Sequence, residues 1–179
     1  MTLKTKAQIE ITPQQICDLF TTAVEGGSTY WCVKMRFQNT HGSNLSDSVN
    51  GRWCGPFALA TLTGKTYEEA DRLLAGIQEK QSVKGSWDQE VILALGTLGY
   101  SAHSIHLGTG MPPTLGRFLR DRDPIQQTTP ILIGIHKHWA TCHFGWFADN
   151  WTKKPVPLAD TPKPKRPVVS AYLIRRRIK

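Results

Sequence analysis

The sequence predicts an α+β domain in which N-terminal helices pack on an antiparallel sheet, and three observations lead there. Up to about residue 120, apolar residues recur at helical spacing behind capping signals. After Pro130 the pattern changes: Ile131 to Ile135 and Trp139 to Phe147 are rich in the branched and aromatic residues that strands favour. The chain of 179 residues, 40% hydrophobic and 20% charged, suits one soluble core. No apolar run approaches the roughly 18 residues that span a bilayer, so a transmembrane helix and a membrane partner are not expected.

In chain order, Thr12-Pro13-Gln14-Gln15 supplies an N-cap, a proline at the first helical position and a capping-box Gln. Ile16, Leu19, Phe20 and Ala23 follow at helical spacing, and Gly26-Gly27 stops the helix. Tyr30 to Phe37 reads as a short strand or irregular aromatic stretch, and Asn39 to Gly51 as a loop. The run Phe57, Ala58, Leu59, Ala60 and Leu62 is too apolar on all sides for a surface helix, which predicts a buried one from Cys54 to Gly64. Thr66 and Glu69 form a capping box ahead of Ala70, Leu73 and Leu74. Ser86 and Gln89 repeat it ahead of Val91, Leu95 and Leu98, and a short helix is expected near Thr114 to Arg120. Pro155 to Pro167 is a Pro/Lys connector, and Val168 to Ile174 a last strand. The domain is therefore drawn over residues 1–174, with 175–179 as a basic tail.

Charge is unevenly placed. The net charge is +8, yet residues 1–152 hold 13 Lys/Arg against 13 Asp/Glu, while residues 153–179 hold 9 basic residues and the single acid Asp160. The run Arg175, Arg176, Arg177 and Lys179 reads first as a solvated tail, with a polyanion contact as the alternative. Four cysteines with no Cys-x-x-Cys pair read as reduced thiols. Met1 to Ile11 lacks the apolar stretch of a secretory signal, so a cytoplasmic location is expected.

Chemistry concentrates at two places. Cys54-Gly55-Pro56 opens a buried helix, where unsatisfied N–H groups and the helix dipole favour thiolate over thiol. Pro56 suits the first turn, and Gly55 would let a substrate backbone approach the sulfur. The second place is a hairpin turning at Phe144-Gly145, with arms 138–143 and 146–151. A two-residue turn sets Ala140 opposite Asp149 and His138 opposite Trp151. His138 and Asp149 then become diagonal neighbours on one face, about 7 to 8 Å apart at the backbone and within side-chain reach. His143 falls on the other face, and His136 lies two residues further from Asp149. A thiol nucleophile needs a base and a group that orients the base, so Cys54, His138 and Asp149 are the predicted triad, with His136 second as base.

Around these residues the chain resembles a family. Gly-Arg-Trp-Cys54-Gly-Pro-Phe-Ala-Leu-Ala, with Leu-Thr-Gly-Lys-Thr-Tyr67-Glu-Glu-Ala after it, is similar to the nucleophile helix and the next capped helix of C39-like, papain-fold cysteine peptidases, including uncharacterised phage-encoded members. Lys137-His138-Trp-Ala and Gly145-Trp-Phe-Ala-Asp149-Asn-Trp151 resemble their His strand, turn and Asp strand. The likeness covers about residues 50–151 and implies a papain-like fold and a peptide or protein substrate. It also implies an oxyanion donor just before the cysteine, usually a Gln. No Gln lies between Gln38 and Cys54, so Asn50 is the candidate for that role, with Ser48 behind it. Trp53, Gly55, Trp139 and Trp151 are the groove candidates. The segment Thr22 to Cys32, with Glu25-Gly26-Gly27 and Tyr30-Trp31, is similar to a stretch of small phage proteins, which would put the chain in a host cytoplasm.

The predicted function is therefore a cysteine hydrolase acting on a peptide, isopeptide or related amide bond, without cofactor or metal. The alternative is a catalytically weak or inactive papain-like binding module, such as a phage protein acting on a host factor. His136, His138, Cys142 and His143 also suggest zinc, but strand alternation sends His143 away from the others.

Overall fold

A computed structural model describes residues 53–152 and 155–177. The expected N-terminal helix, the Glu25 to Trp31 segment, Ser48, Asn50 and Lys179 lie outside the described residues. Among the described residues three helices come first: α1 (Cys54–Thr63), α2 (Tyr67–Ile77) and α3 (Asp88–Thr97). Strand β1 (Tyr100–Ser104) follows, then α4 (Leu115–Arg120) and α5 (Pro124–Thr128). The remaining strands are β2 (Ile131–Ile135), β3 (His138–His143), β4 (Trp146–Ala148), β5 (Val156–Pro157) and β6 (Val168–Arg176). They form one six-stranded antiparallel sheet in the order β1-β6-β2-β3-β4-β5. Helices on an antiparallel sheet are the α+β arrangement the sequence predicts, although β1 and α5 were not foreseen.

Helix α1 is the centre of the first layer, and every residue from Gly55 to Thr63 is buried. Its two threonines are tolerated there because Thr61 and Thr63 donate their hydroxyls to the Phe57 and Leu59 carbonyls, at 2.9 and 2.7 Å. Gly64 ends the helix in the left-handed conformation, φ 70°, with its N–H on the Ala60 carbonyl. The Thr66/Glu69 capping box of α2 is present in both directions. The next box is displaced by one residue: the cap is Trp87, whose N–H meets Glu90 at 2.7 Å, and Ser86 is left free for another role.

The sheet separates two cores. On one face Leu132, Trp139 and Ile174 pack against Leu59, Leu62, Leu74, Val91 and Leu95 of α1 to α3. On the other, Ile131, Ile133, Ala140, Cys142 and Phe147 pack against Leu115, Phe118 and Leu119 of α4. Each fully buried Leu or Ile stabilises by about 1.5–3 kcal/mol, and β2, Ile-Leu-Ile-Gly-Ile, is buried throughout. Strand β6 runs to Arg176, beyond the expected end at Ile174. Arg175 and Arg176 pair with Ser101 and Tyr100, and the Arg177 N–H reaches the Gly99 carbonyl at 2.8 Å. Arg175 and Arg176 therefore form the end of a strand, with Arg177 tied to Gly99 just beyond it, instead of starting a separate tail. Among the described residues no helix is long and apolar enough to cross a membrane.

Candidate active site at the start of helix α1

The hairpin register is the one predicted. His143 pairs with Trp146, Cys142 with Phe147 and Thr141 with Ala148 around Phe144-Gly145, with Phe144 at φ 51°. Strand β4 stops at Ala148, earlier than the expected arm to residue 151, because Asp149 turns the chain. Asp149 Oδ1 accepts the N–H groups of Trp151 and Thr152 at 3.1 and 2.8 Å. Its other oxygen, Oδ2, accepts from His138 Nε2 at 2.9 Å. Both side chains are buried, with 4% and 1% of their surface exposed, so this pair is shielded from competing water. Because Nε2 carries the proton given to Asp149, Nδ1 is the nitrogen left to exchange one.

The same turn brings Trp151 onto the histidine. The rings stack at 3.7 Å between centroids with an interplanar angle of 5°. Trp151 is thus a cover for the His138–Asp149 pair, reached through the Asp149 turn and not through strand pairing. It stays 43% exposed on the outside.

Cys54 is the first residue of α1 and only half-buried. The preceding Trp53 has no side-chain acceptor, so it leaves the first-turn N–H groups uncapped. Burial raises the Cys54 thiol above its ordinary value of 9.0; the N–H groups of Trp139, Cys54 and Gly55 oppose that rise, and the Asp149 charge adds to it. The expectation of a thiolate favoured by the helix start is therefore corrected: desolvation outweighs the amides, and a base is needed to ionise the thiol. The Trp139 N–H belongs to the peptide that joins it to His138, which sets the sulfur beside the histidine's own backbone.

Two of the groove candidates are structural. Trp139 is 4% exposed; its indole N–H donates to the Ser86 carbonyl at 2.9 Å, and its ring lies over Gly134, where an added Cβ would sit 3.3 Å from it. Gly55 is buried under Ser86, and a Cβ there would overlap the Ser86 hydroxyl and lie 2.8 Å from its Cβ. The glycine thus admits the 85–87 loop instead of a substrate backbone, and Trp139 fastens that loop to the sheet. Trp53 and Trp151 keep exposed surface.

His143 is buried five residues along β3 and turned to the other face, with Nε2 3.2 Å from the Thr128 carbonyl. His136 is exposed in the β2–β3 turn, away from the Asp149 pair. Cys142 is fully buried, accepts from Arg122 Nη1 at 3.4 Å, and has its thiol pushed up to about 11 by burial. No group of three His, Cys, Asp or Glu able to hold a metal occurs among the described residues.

Tyr67 was missed as a site residue. Its hydroxyl accepts the Trp53 N–H at 3.2 Å and lies close enough to Cys54 to feel its charge. A tyrosine at the start of a capped helix carries no local sign of this; only the packing of α2 on α1 creates it. Compared with family models and with curated proteins, the chain matches none.

Proposed function

We propose that this protein is a cysteine hydrolase of papain-like fold that cleaves a peptide, isopeptide or related amide bond, with Cys54 as nucleophile, His138 as base and Asp149 as the group that orients His138. The observation that carries the reading is the buried Asp149–His138 hydrogen bond, capped by Trp151 and set beside a cysteine at a helix start. A surface histidine needs neither a buried carboxylate nor an aromatic lid.

In this reading His138 Nδ1 takes the Cys54 proton as the sulfur attacks the carbonyl carbon, and Asp149 stabilises the imidazolium. The negative oxygen of the tetrahedral intermediate is met by the Cys54 N–H, with Asn50, or Ser48 behind it, as the second donor. His138 then protonates the leaving amine, and water hydrolyses the thioester by the reverse sequence. A raised resting thiol suits such a mechanism, since the proton moves only when base and substrate are in place.

The same raised thiol also favours a second reading, a binding module acting on a partner protein. Labelling the full chain with a thiol-directed acyl-transfer probe and mapping the modified cysteine separates the two. Labelling at Cys54 that His138→Ala abolishes is expected; equal labelling with and without His138 refutes the hydrolase.

A further inference from the structure

We propose that this site selects acidic peptide segments, through a cationic rim formed by Lys163 and Arg166 on the outer face of Trp151. The inference rests on the hydrolase reading and concerns which substrate it admits. Lys163 Nζ lies 3.9 Å from the centre of the Trp151 ring, and the Arg166 guanidinium carbon 5.3 Å from it. The inner side of that ring is stacked on His138. Base, indole and cations therefore form consecutive layers.

The cations are held, not trailing. Arg166 Nη2 donates to the His136 carbonyl at 2.7 Å, which ties it to the turn that leads into His138. The segment 163–166 that carries both cations is itself anchored on α4: the Leu115 N–H meets the Arg166 carbonyl at 2.7 Å and the Gly116 N–H meets the Pro164 carbonyl at 2.8 Å. Lys163 holds a left-handed φ of 51°, a conformation that costs a non-glycine residue about 1 kcal/mol and is kept here by the surrounding contacts. None of Lys137, Lys163, Lys165 and Arg166 forms an ion pair with a carboxylate among the described residues.

A substrate carboxylate at the rim is attracted by these fixed cations and gains charge-assisted hydrogen bonds from them. The cation over the indole is also a ready-made step from which a bound chain can contact Trp151, whose outer surface remains half open. Since the chemistry acts on an amide, the matching anion is an Asp or Glu near the scissile bond.

Two alkylating agents of similar size test this on the full chain. The rate of Cys54 modification by anionic iodoacetate, divided by the rate with neutral iodoacetamide, is compared with the same ratio for glutathione. At low salt the Cys54 ratio should be about 3- to 10-fold higher, and it should collapse in high salt. Lys163→Gln with Arg166→Gln should bring it to the glutathione value, whereas Lys80→Gln, on the helical side, should not. A ratio equal to that of glutathione, or one unmoved by salt or by the double variant, overturns the rim while leaving the hydrolase standing. No reaction at Cys54 with either reagent overturns both. Protection of Cys54 by a pentaglutamate peptide but not by inorganic phosphate is expected; the reverse replaces the acidic peptide with a phosphate ligand and overturns the assignment.

Discussion

One strand carries two buried histidines with opposite prospects. His138, at the start of β3, gives its Nε2 proton to a carboxylate and is covered by an indole. His143, at the end, gives its proton to the neutral Thr128 carbonyl and has the Arg122 cation nearby. Burial first, and Arg122 after it, pull His143 down from 6.5 to about 4, although the Thr128 hydrogen bond works the other way. Burial without a carboxylate partner thus holds His143 neutral, whereas His138 has Asp149 as its hydrogen-bond partner. The two cysteines among the described residues differ in parallel, Cys54 half-open at a helix start and Cys142 sealed between sheet and Arg122.

The comparison can be broken most sharply at the histidines themselves. His138→Ala should cut Cys54 turnover by about 100-fold or more, the usual share of a general base, while His143→Ala leaves it nearly unchanged. A dependence on His143 instead would reverse the assignment. Site-resolved acylation rates make the measurement.

The neutral His143 should show in stability. Its folded pKa lies below its unfolded one, so the unfolded chain binds the extra proton between them and stability falls as pH drops from about 6.5 to about 4. Over that window the loss from this residue is at most about 3 kcal/mol, and above it the full stability is present. Urea unfolding across the range should show a slope that His143→Gln flattens; an unchanged slope removes His143 as its source.

Trp151→Ala sharpens the role of the lid. It should lower stability by about 1 kcal/mol through the lost stack and should also weaken Cys54 reactivity, because water then reaches the His138–Asp149 bond. Loss of stability with unaltered reactivity would reduce Trp151 to packing. The smallest effect concerns Tyr67→Phe, which removes the hydroxyl that accepts the Trp53 N–H. About 1 kcal/mol or less should be lost in thermal unfolding, since the N–H is only part-buried.

Residues 175–177 show how a local reading fails. Consecutive arginines carry the composition of a solvated tail, yet their backbone completes the pairing of β6 with β1. Strand β1 itself, Tyr100-Ser-Ala-His-Ser104, is short and half polar, so nothing in its composition announces it; it exists because the free edge of β6 is there to be paired. Cutting the chain after Ile174 should therefore destabilise the fold as well as remove charge.

The chain's own order was enough to place α1, the Thr66 cap and the hairpin, because each is governed by contacts a few residues long. The hairpin arithmetic even located the His138–Asp149 pair, since a two-residue turn leaves one register and side chains alternate strictly across it. Tertiary structure alone decided what depends on distant segments. It placed Ser86 over Gly55, Tyr67 under Trp53, Lys163 and Arg166 on Trp151, and Cys54 in surroundings dry enough to raise its thiol. Desolvation and stacking are sums over whatever the whole fold brings near, and no spacing along the chain records them.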